Sequence, residues 1–378
     1  MLHVFLKNKL VSADAIVPVL LDGRRQGFTD EIRFYVQSPK TMKALKENSI
    51  LWSALNQLGD VLLAVPESRQ LGAILRHRLF ALWWLPRLAL SVIFGQAKII
   101  HFGQLYSSAV YRILVSLRKS SVMVVEGAFA GFSETQTTFA KLKVDRSSTF
   151  DLSRVKNIAV FEGDSELAKK VRHRGRTPIV IGKPHNLSGW IDFLDERCAD
   201  VFPEDHKEIF SIILGTFGKL DFFPAENTAE KLLTQTIDIL LERGQGRPIY
   251  IKPHVITDRD ELERILSKYA DAPILITDLH PSILAKRAVF TLANYYSTVL
   301  STVHGNNGIT VEYTHYSEKA LQLSNGRSMR DDSVTHFIQN DPEALRVLVS
   351  QLCSKADKNC ADIERGSTPD ELMRWIVG

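Results

Sequence analysis

The chain has 378 residues, 45% of them apolar and 24% charged, a globular composition too long for one ordinary core and suited to two domains. A formal net charge of +4 is mild, more compatible with an acidic small molecule or an anionic membrane face than with wrapping by nucleic acid. Three cysteines, Cys198, Cys353 and Cys360, have no metal-type spacing and leave an odd thiol, which excludes a disulfide scaffold and implies a reducing, cytoplasmic setting.

The opening M-L-H-V-F-L-K-N-K-L lacks the apolar run and cleavage site of a signal peptide and reads as a first strand, Val4–Leu6. Short, often β-branched apolar runs follow at Ile32–Val36, Val61–Val65, Ile99–Phe102, Val122–Val125, Ile158–Phe161 and Ile179–Ile181. Helical patterns lie between them at Thr41–Leu58, Ser107–Leu117 and Ser165–His173, so the pattern predicts βαβ units on a parallel sheet. Leu79–Phe94 is apolar but carries Pro86 and Arg87 at its middle and is shorter than the ~20 residues a spanning helix needs. It is expected as a buried helix pair. The alternative is an interfacial surface that sets Trp83, Trp84, Arg69, Arg76, Arg78 and Arg87 against anionic lipid.

The run Val122–Val125 ends at Glu126-Gly127. A carboxylate at a strand's carboxyl end, beside a glycine that admits a ligand to the backbone, is placed to act as a general base; capping or pairing with a surface arginine is the plainer use. Asn186–Lys207 is polar and reads as an irregular connection. The alternation then restarts with strands at Phe210–Leu214, Ile249–Ile251, Ile274–Thr277, Val289–Ala293 and Ile309–Tyr313. Helices are expected at Asn227–Glu242, Arg259–Tyr269, Ser282–Arg287 and Thr298–Val303, and a helical tail from Asp341.

Strand ends in this second half carry the chemistry. Ile249–Ile251 delivers Lys252 and His254 to its carboxyl edge, and Val289–Ala293 turns through Tyr295-Tyr296 into a helix capped by Ser297 or Thr298. Each alone reads as a turn or a cap. Together, a cation, an imidazole and a hydroxyl-rich helix start on one sheet edge point to a phosphate pocket, since unpaired helix N–H groups favour negative charge. Gly215 and Gly218 flank another strand exit that leads to Asp221, a carboxylate in competition with Asp192 and Asp195; the full dinucleotide fingerprint is missing. His280-Pro281 reads as a helix start. The eleven histidines are scattered and no H-E-x-x-H or G-x-S-x-G occurs, so no metal, no cofactor and no serine-hydrolase centre is expected.

The fold class that follows is α/β, two tandem Rossmann-like doubly wound domains facing a central cleft. The expected boundaries are 1–190 for the acceptor-side domain, 191–208 for the connection, 209–340 for the nucleotide-binding domain and 341–378 for terminal helices. This architecture, with Glu126-Gly127, Lys252-Pro253-His254 and Ser297-Thr298, resembles the GT-B-type bacterial glycosyltransferases of surface-polysaccharide assembly that use CMP-activated acidic sugars. These are the polysialyltransferases and sialyltransferases and the retaining β-Kdo transferases of capsule and lipopolysaccharide. Two positions depart from the pattern. Val125 stands in place of the first acid of the paired-acid motif, which weakens a sialyltransferase reading, and Val255 stands where a second proline follows the histidine.

The resemblance implies that Lys252, His254, Ser297 and Thr298 hold the CMP phosphate, that Glu126 faces the acceptor, and that a further carboxylate, with Asp221 the candidate, attacks the anomeric carbon. It implies a CMP-sugar donor, a glycan acceptor that includes lipid-linked forms, peripheral membrane contact and no nucleic acid. The alternatives are an inverting sialyltransferase, a UDP- or GDP-sugar transferase or epimerase on the same fold, and a non-catalytic glycan-assembly domain with a vestigial nucleotide cleft.

Overall fold

The computed structural model describes residues 1–6, 10–68, 70–102, 113, 117–125, 155–215, 223–225, 227–254, 257–297, 299–328, 333–355 and 365–377. Glu126, Gly127, Gly218, Asp221, Val255, Thr298, Arg69 and Cys360 lie outside them, as does nearly all of the helix expected at 107–117. The described residues fall into two compact units, one from 1–125, 155–193 and 365–377 and the other from 194–355.

The first unit is built on a parallel sheet of seven strands: β1 (Leu2–Leu6), β2 (Ile32–Val36), β3 (Gly59–Leu63), β4 (Lys98–Phe102), β5 (Val122–Val125), β6 (Asn157–Val160) and β7 (Ile179–Val180), in the order β3-β2-β1-β4-β5-β6-β7. Its helices are α1 (Val11–Arg25), α2 (Pro39–Glu47), α3 (Ser49–Leu58), α4 (Leu71–Ile93), α5 (Glu166–His173) and α6 (Ser188–Val201). Between Phe193 and Leu194, within α6, the chain passes to the second unit. There β8 (Ile209–Ile213), β9 (Ile249–Lys252), β10 (Ile274–Ile276), β11 (Ala288–Ala293), β12 (Thr310–Thr314) and β13 (His336–Gln339) form a second parallel sheet, in the order β10-β9-β8-β11-β12-β13. Its helices are α7 (Thr228–Arg243), α8 (Arg259–Leu266), α9 (Pro281–Ala285), α10 (Val299–Gly305), α11 (Glu318–Leu323) and α12 (Pro342–Lys355); α13 (Asp370–Val377) belongs to the first unit. Both sheets wind outward in two directions from a central strand pair, the doubly wound α/β fold that the alternation implies. Central strands are apolar on both faces because helices cover both. β1, β5, β8 and β12 are buried along their whole length.

Four expectations need correction. The helix expected over Thr41–Leu58 is two helices. Asn48 leaves the helical region and its side chain accepts the Leu51 N–H at 3.1 Å, so one residue ends α2 and caps α3. Most of the segment 186–207 is helical, and only 202–207 is irregular: Trp190, Ile191, Phe193 and Leu194 are buried at helical spacing, and the acids that made it look like a loop lie on the other side of α6. Pro86 does not divide a helix pair. It removes one backbone hydrogen bond, and α4 runs through it for 23 residues. Within α4, Trp84 is 3% exposed and packs on Tyr35 at 5.2 Å between ring centroids, so it faces the core and not a lipid surface. α1, α11 and β13 stand outside the elements expected from the apolar pattern.

A buried carboxylate fastens the first unit. Asp22 in α1 accepts the Gly189 N–H at 2.8 Å with one oxygen, and the Thr368 N–H at 2.6 Å and the Gln26 amide at 2.7 Å with the other. The approach is so close that a Cβ on Gly189 would lie 2.5 Å from the Asp22 Cα, which fixes glycine there.

Candidate functional site

All strands of the second sheet are parallel, so their carboxyl ends share one edge. The chain leaves β8 for β9 on one side and later returns to β11 on the other, which makes β8/β11 the point where the winding reverses and a crevice opens. Lys252, Ile213 and Ala293 form one row across β9, β8 and β11. At the ~4.8 Å strand spacing, Lys252 and Ala293 stand roughly 10 Å apart, the scale of a nucleoside monophosphate. The residues that follow them, Pro253-His254 and Asn294–Ser297, therefore leave the sheet on either side of the β8 exit at Leu214-Gly215.

These exits are tied together. The Thr257 hydroxyl accepts the His254 N–H at 2.8 Å and donates to the Gly215 carbonyl at 2.5 Å, joining the β9 and β8 exits. The Tyr316 hydroxyl accepts the Tyr296 N–H at 2.8 Å and donates to Glu312 at 2.7 Å; the Ser328 hydroxyl donates to the other Glu312 oxygen at 2.7 Å. Glu312 is a fully buried carboxylate, and through Tyr316 it fixes the turn after β11. Burial first, and then the Glu312 charge, push the Tyr316 hydroxyl far above the ordinary tyrosine range, so it remains a donor.

The predicted residues fall into this frame as follows. Lys252 is half-buried and its Nζ donates to the Asp278 carbonyl at 3.3 Å; His254 is exposed beyond it. The Ser297 hydroxyl accepts the Val299 N–H at 3.3 Å just ahead of α10, which has only seven residues, so its dipole is short. Lys252, His254 and Ser297 thus share the carboxyl edge. His280 is buried and its Nδ1 accepts the Ser282 N–H at 3.1 Å, which makes it the cap of α9.

Asn294 is a further polar residue at this edge. Its amide nitrogen donates to Thr236 at 2.9 Å and to the Tyr313 carbonyl at 3.0 Å, leaving Oδ1 with no protein partner among the described residues. It lines a small recess with Leu214, Gly215, Phe223 and Tyr295; a Cβ on Gly215 would press on the Tyr295 ring at 3.1 Å. Burial, then Tyr296 and the Glu312 charge, raise the Tyr295 hydroxyl well above its usual range. A buried asparagine behind a strand end is invisible in one sequence, because nothing local distinguishes it from a turn residue.

Two competitors of Asp221 are engaged elsewhere. Asp192 pairs with Arg25 at 3.0 Å and Arg365 at 2.7 Å, and Asp195 pairs with Lys286 at 2.7 Å. A second K-P-H, Lys183-Pro184-His185, follows β7 in the first unit, so the tripeptide alone is not specific. There the His185 Nε2 lies 3.7 Å from an Asp14 oxygen at the start of α1, an imidazole–carboxylate pair that the sequence reading passed over.

No protein-family model matches the sequence and no curated protein matches it. Among solved structures, the chain is similar over 99% of its length to 90% of a putative UDP-N-acetylglucosamine 2-epimerase from Listeria monocytogenes, with a TM-score of 0.52 at 11% identity. A weaker likeness joins 94% of it to 99% of the E. coli ADP-heptose lps heptosyltransferase II, with a TM-score of 0.47 at 10% identity. The likeness is one of fold alone: two tandem Rossmann-like doubly wound domains, GT-B-like.

Proposed function

We propose that the protein transfers an acidic ulosonic sugar, Kdo, from its CMP donor to a bacterial surface glycan with retention of configuration. It works in the cytoplasm, peripheral to the inner membrane, on acceptors that include lipid-linked glycans. The observation that carries this reading is the placement of Lys252 and the Asn294–Ser297 turn on either side of the β8 exit, at the reversal point of the second sheet. One phosphate held by a cation and backbone N–H groups is a stabilised leaving group. In the proposed reaction an Asp221 oxygen bonds to the anomeric carbon as the bond to the CMP phosphate breaks, and CMP leaves with the electron pair. The acceptor oxygen then bonds to that carbon as the aspartyl bond breaks, and its proton passes to Glu126. The reading needs no metal and no cofactor.

CMP should raise the melting temperature, by about 2.7 kcal/mol of stabilisation at a hundredfold excess over Kd. UDP should do so less, because a site fitted to one phosphate has no place for a second. His254→Ala is expected to remove most of the CMP shift without lowering the melting temperature of the free protein, since His254 is exposed. A larger shift with UDP than with CMP replaces this reading with a UDP-sugar transferase or epimerase.

The His185–Asp14 pair favours a second reading, an inverting transfer in which the imidazole takes the acceptor proton in one displacement. Under it, His185→Ala cuts kcat by roughly 10²-fold or more with CMP binding unchanged, and the product linkage is inverted. Under the retaining reading, His185→Ala leaves kcat within a few-fold of wild type.

A further inference from the structure

The outer face of α4 is apolar where a surface helix is ordinarily polar. Leu71, Leu79, Leu82 and Phe94 are 73%, 69%, 71% and 78% exposed, with Leu75 and Leu90 at 50% and 57%. At about 100° per residue, Leu71, Leu82, Leu75, Leu79 and Leu90 fall within an arc of about 100°. The buried residues Ala73, Trp84, Leu88 and Val92 occupy the opposite side. On the same wheel, Arg78 borders one edge of the apolar arc, and Arg76 and Arg87 border the other, beyond Trp83. The Arg87 guanidinium stacks on the Trp83 ring at 4.2 Å, a pair with an apolar body and a cationic tip. From Leu71 to Ile93 there is no acidic residue.

We infer that this face of α4 docks the protein onto an anionic lipid bilayer. The inference deepens the peripheral-membrane part of the proposed function by naming the surface and the lipid chemistry, and it rests on that part alone. An apolar centre rimmed by arginines is the arrangement that lies in a headgroup layer, with leucines below the phosphates and guanidiniums among them. The helix lies along the surface and does not cross it: among the described residues no helix is long and apolar enough to span a membrane. A second copy of the chain is a poor occupant, because a two-fold contact would bring three arginines against three with no carboxylate on either helix.

The test uses the full chain with vesicles of phosphatidylcholine containing phosphatidylglycerol. Binding is expected at low salt, with weakening as salt rises and little binding to pure phosphatidylcholine. Arg76→Gln/Arg78→Gln/Arg87→Gln should lower the partition on the order of a hundredfold, at about fivefold per residue. Leu79→Ser/Leu82→Ser should lower it at least about tenfold while leaving the melting temperature and the CMP shift unchanged, since both side chains are already exposed. Trp emission should shift to the blue on anionic vesicles, and the shift should disappear in Trp83→Phe. Absence of binding at low salt, equal binding to neutral vesicles, or a concentration-dependent dimer abolished by Leu79→Ser/Leu82→Ser would each overturn the inference. Vesicle binding without any CMP shift would sink the donor assignment and leave the membrane face standing.

Discussion

Replacement of Glu126 by alanine is expected to abolish glycosyl transfer and leave the CMP-induced rise in melting temperature intact. Glu126 follows the last residue of β5, in the first unit, whereas the proposed phosphate contacts all come from β9 and the turn after β11 in the second. Loss of a general base costs roughly 10²- to 10⁴-fold in rate and touches nucleotide affinity little. Asp221→Asn is expected to cut kcat roughly 10⁴-fold or more, since an amide cannot form the glycosyl ester. Mass spectrometry of the wild-type enzyme mixed with donor should find a sugar adduct on the peptide that contains Asp221. Full activity in Asp221→Asn removes it as nucleophile. Asp192 and Asp195 are weak replacements, because both are ion-paired on α6. An inverted product would discard the double displacement and retain the transferase.

The second large effect is on stability. Asp22→Ala is expected to destabilise the first unit by about 4 kcal/mol, because it leaves the buried Gly189 and Thr368 N–H groups without their acceptor. Asp22→Asn keeps one acceptor oxygen and should cost about half as much. All five tryptophans lie in the first unit, Trp190 among them fully buried next to Gly189, so urea unfolding followed by tryptophan fluorescence reads this unit, with the CMP-stabilised transition serving as a separate probe of the other. A cost below about 1 kcal/mol for Asp22→Ala would show that these contacts are replaced by water at little loss.

Strands were the legible part of the chain. β2 and β5 coincide with their apolar runs to the residue, and most of the others differ by one or two positions, because strands covered on both faces leave no polar residue to blur their ends. Helices were read less well. α6 hid behind its acids, α4 behind Pro86, and α1 behind a composition with no clean polar face, since 11 of its 15 residues are buried. A helix with a wide buried face loses the period that betrays it.

The sequence by itself determined the doubly wound class and which residues stand at strand ends, since alternation of apolar strands with helical patterns admits few other folds. Strand order was beyond it. That Lys252 and Ala293 flank β8, that Asn294 backs the recess, and that Glu312 holds the β11 turn through Tyr316 are facts of pairing between distant segments. The same holds for Asp22, whose partner Thr368 is 346 residues away. It holds too for the outward side of α4, because periodicity shows that a helix has faces and only its packed neighbours decide which one meets the core.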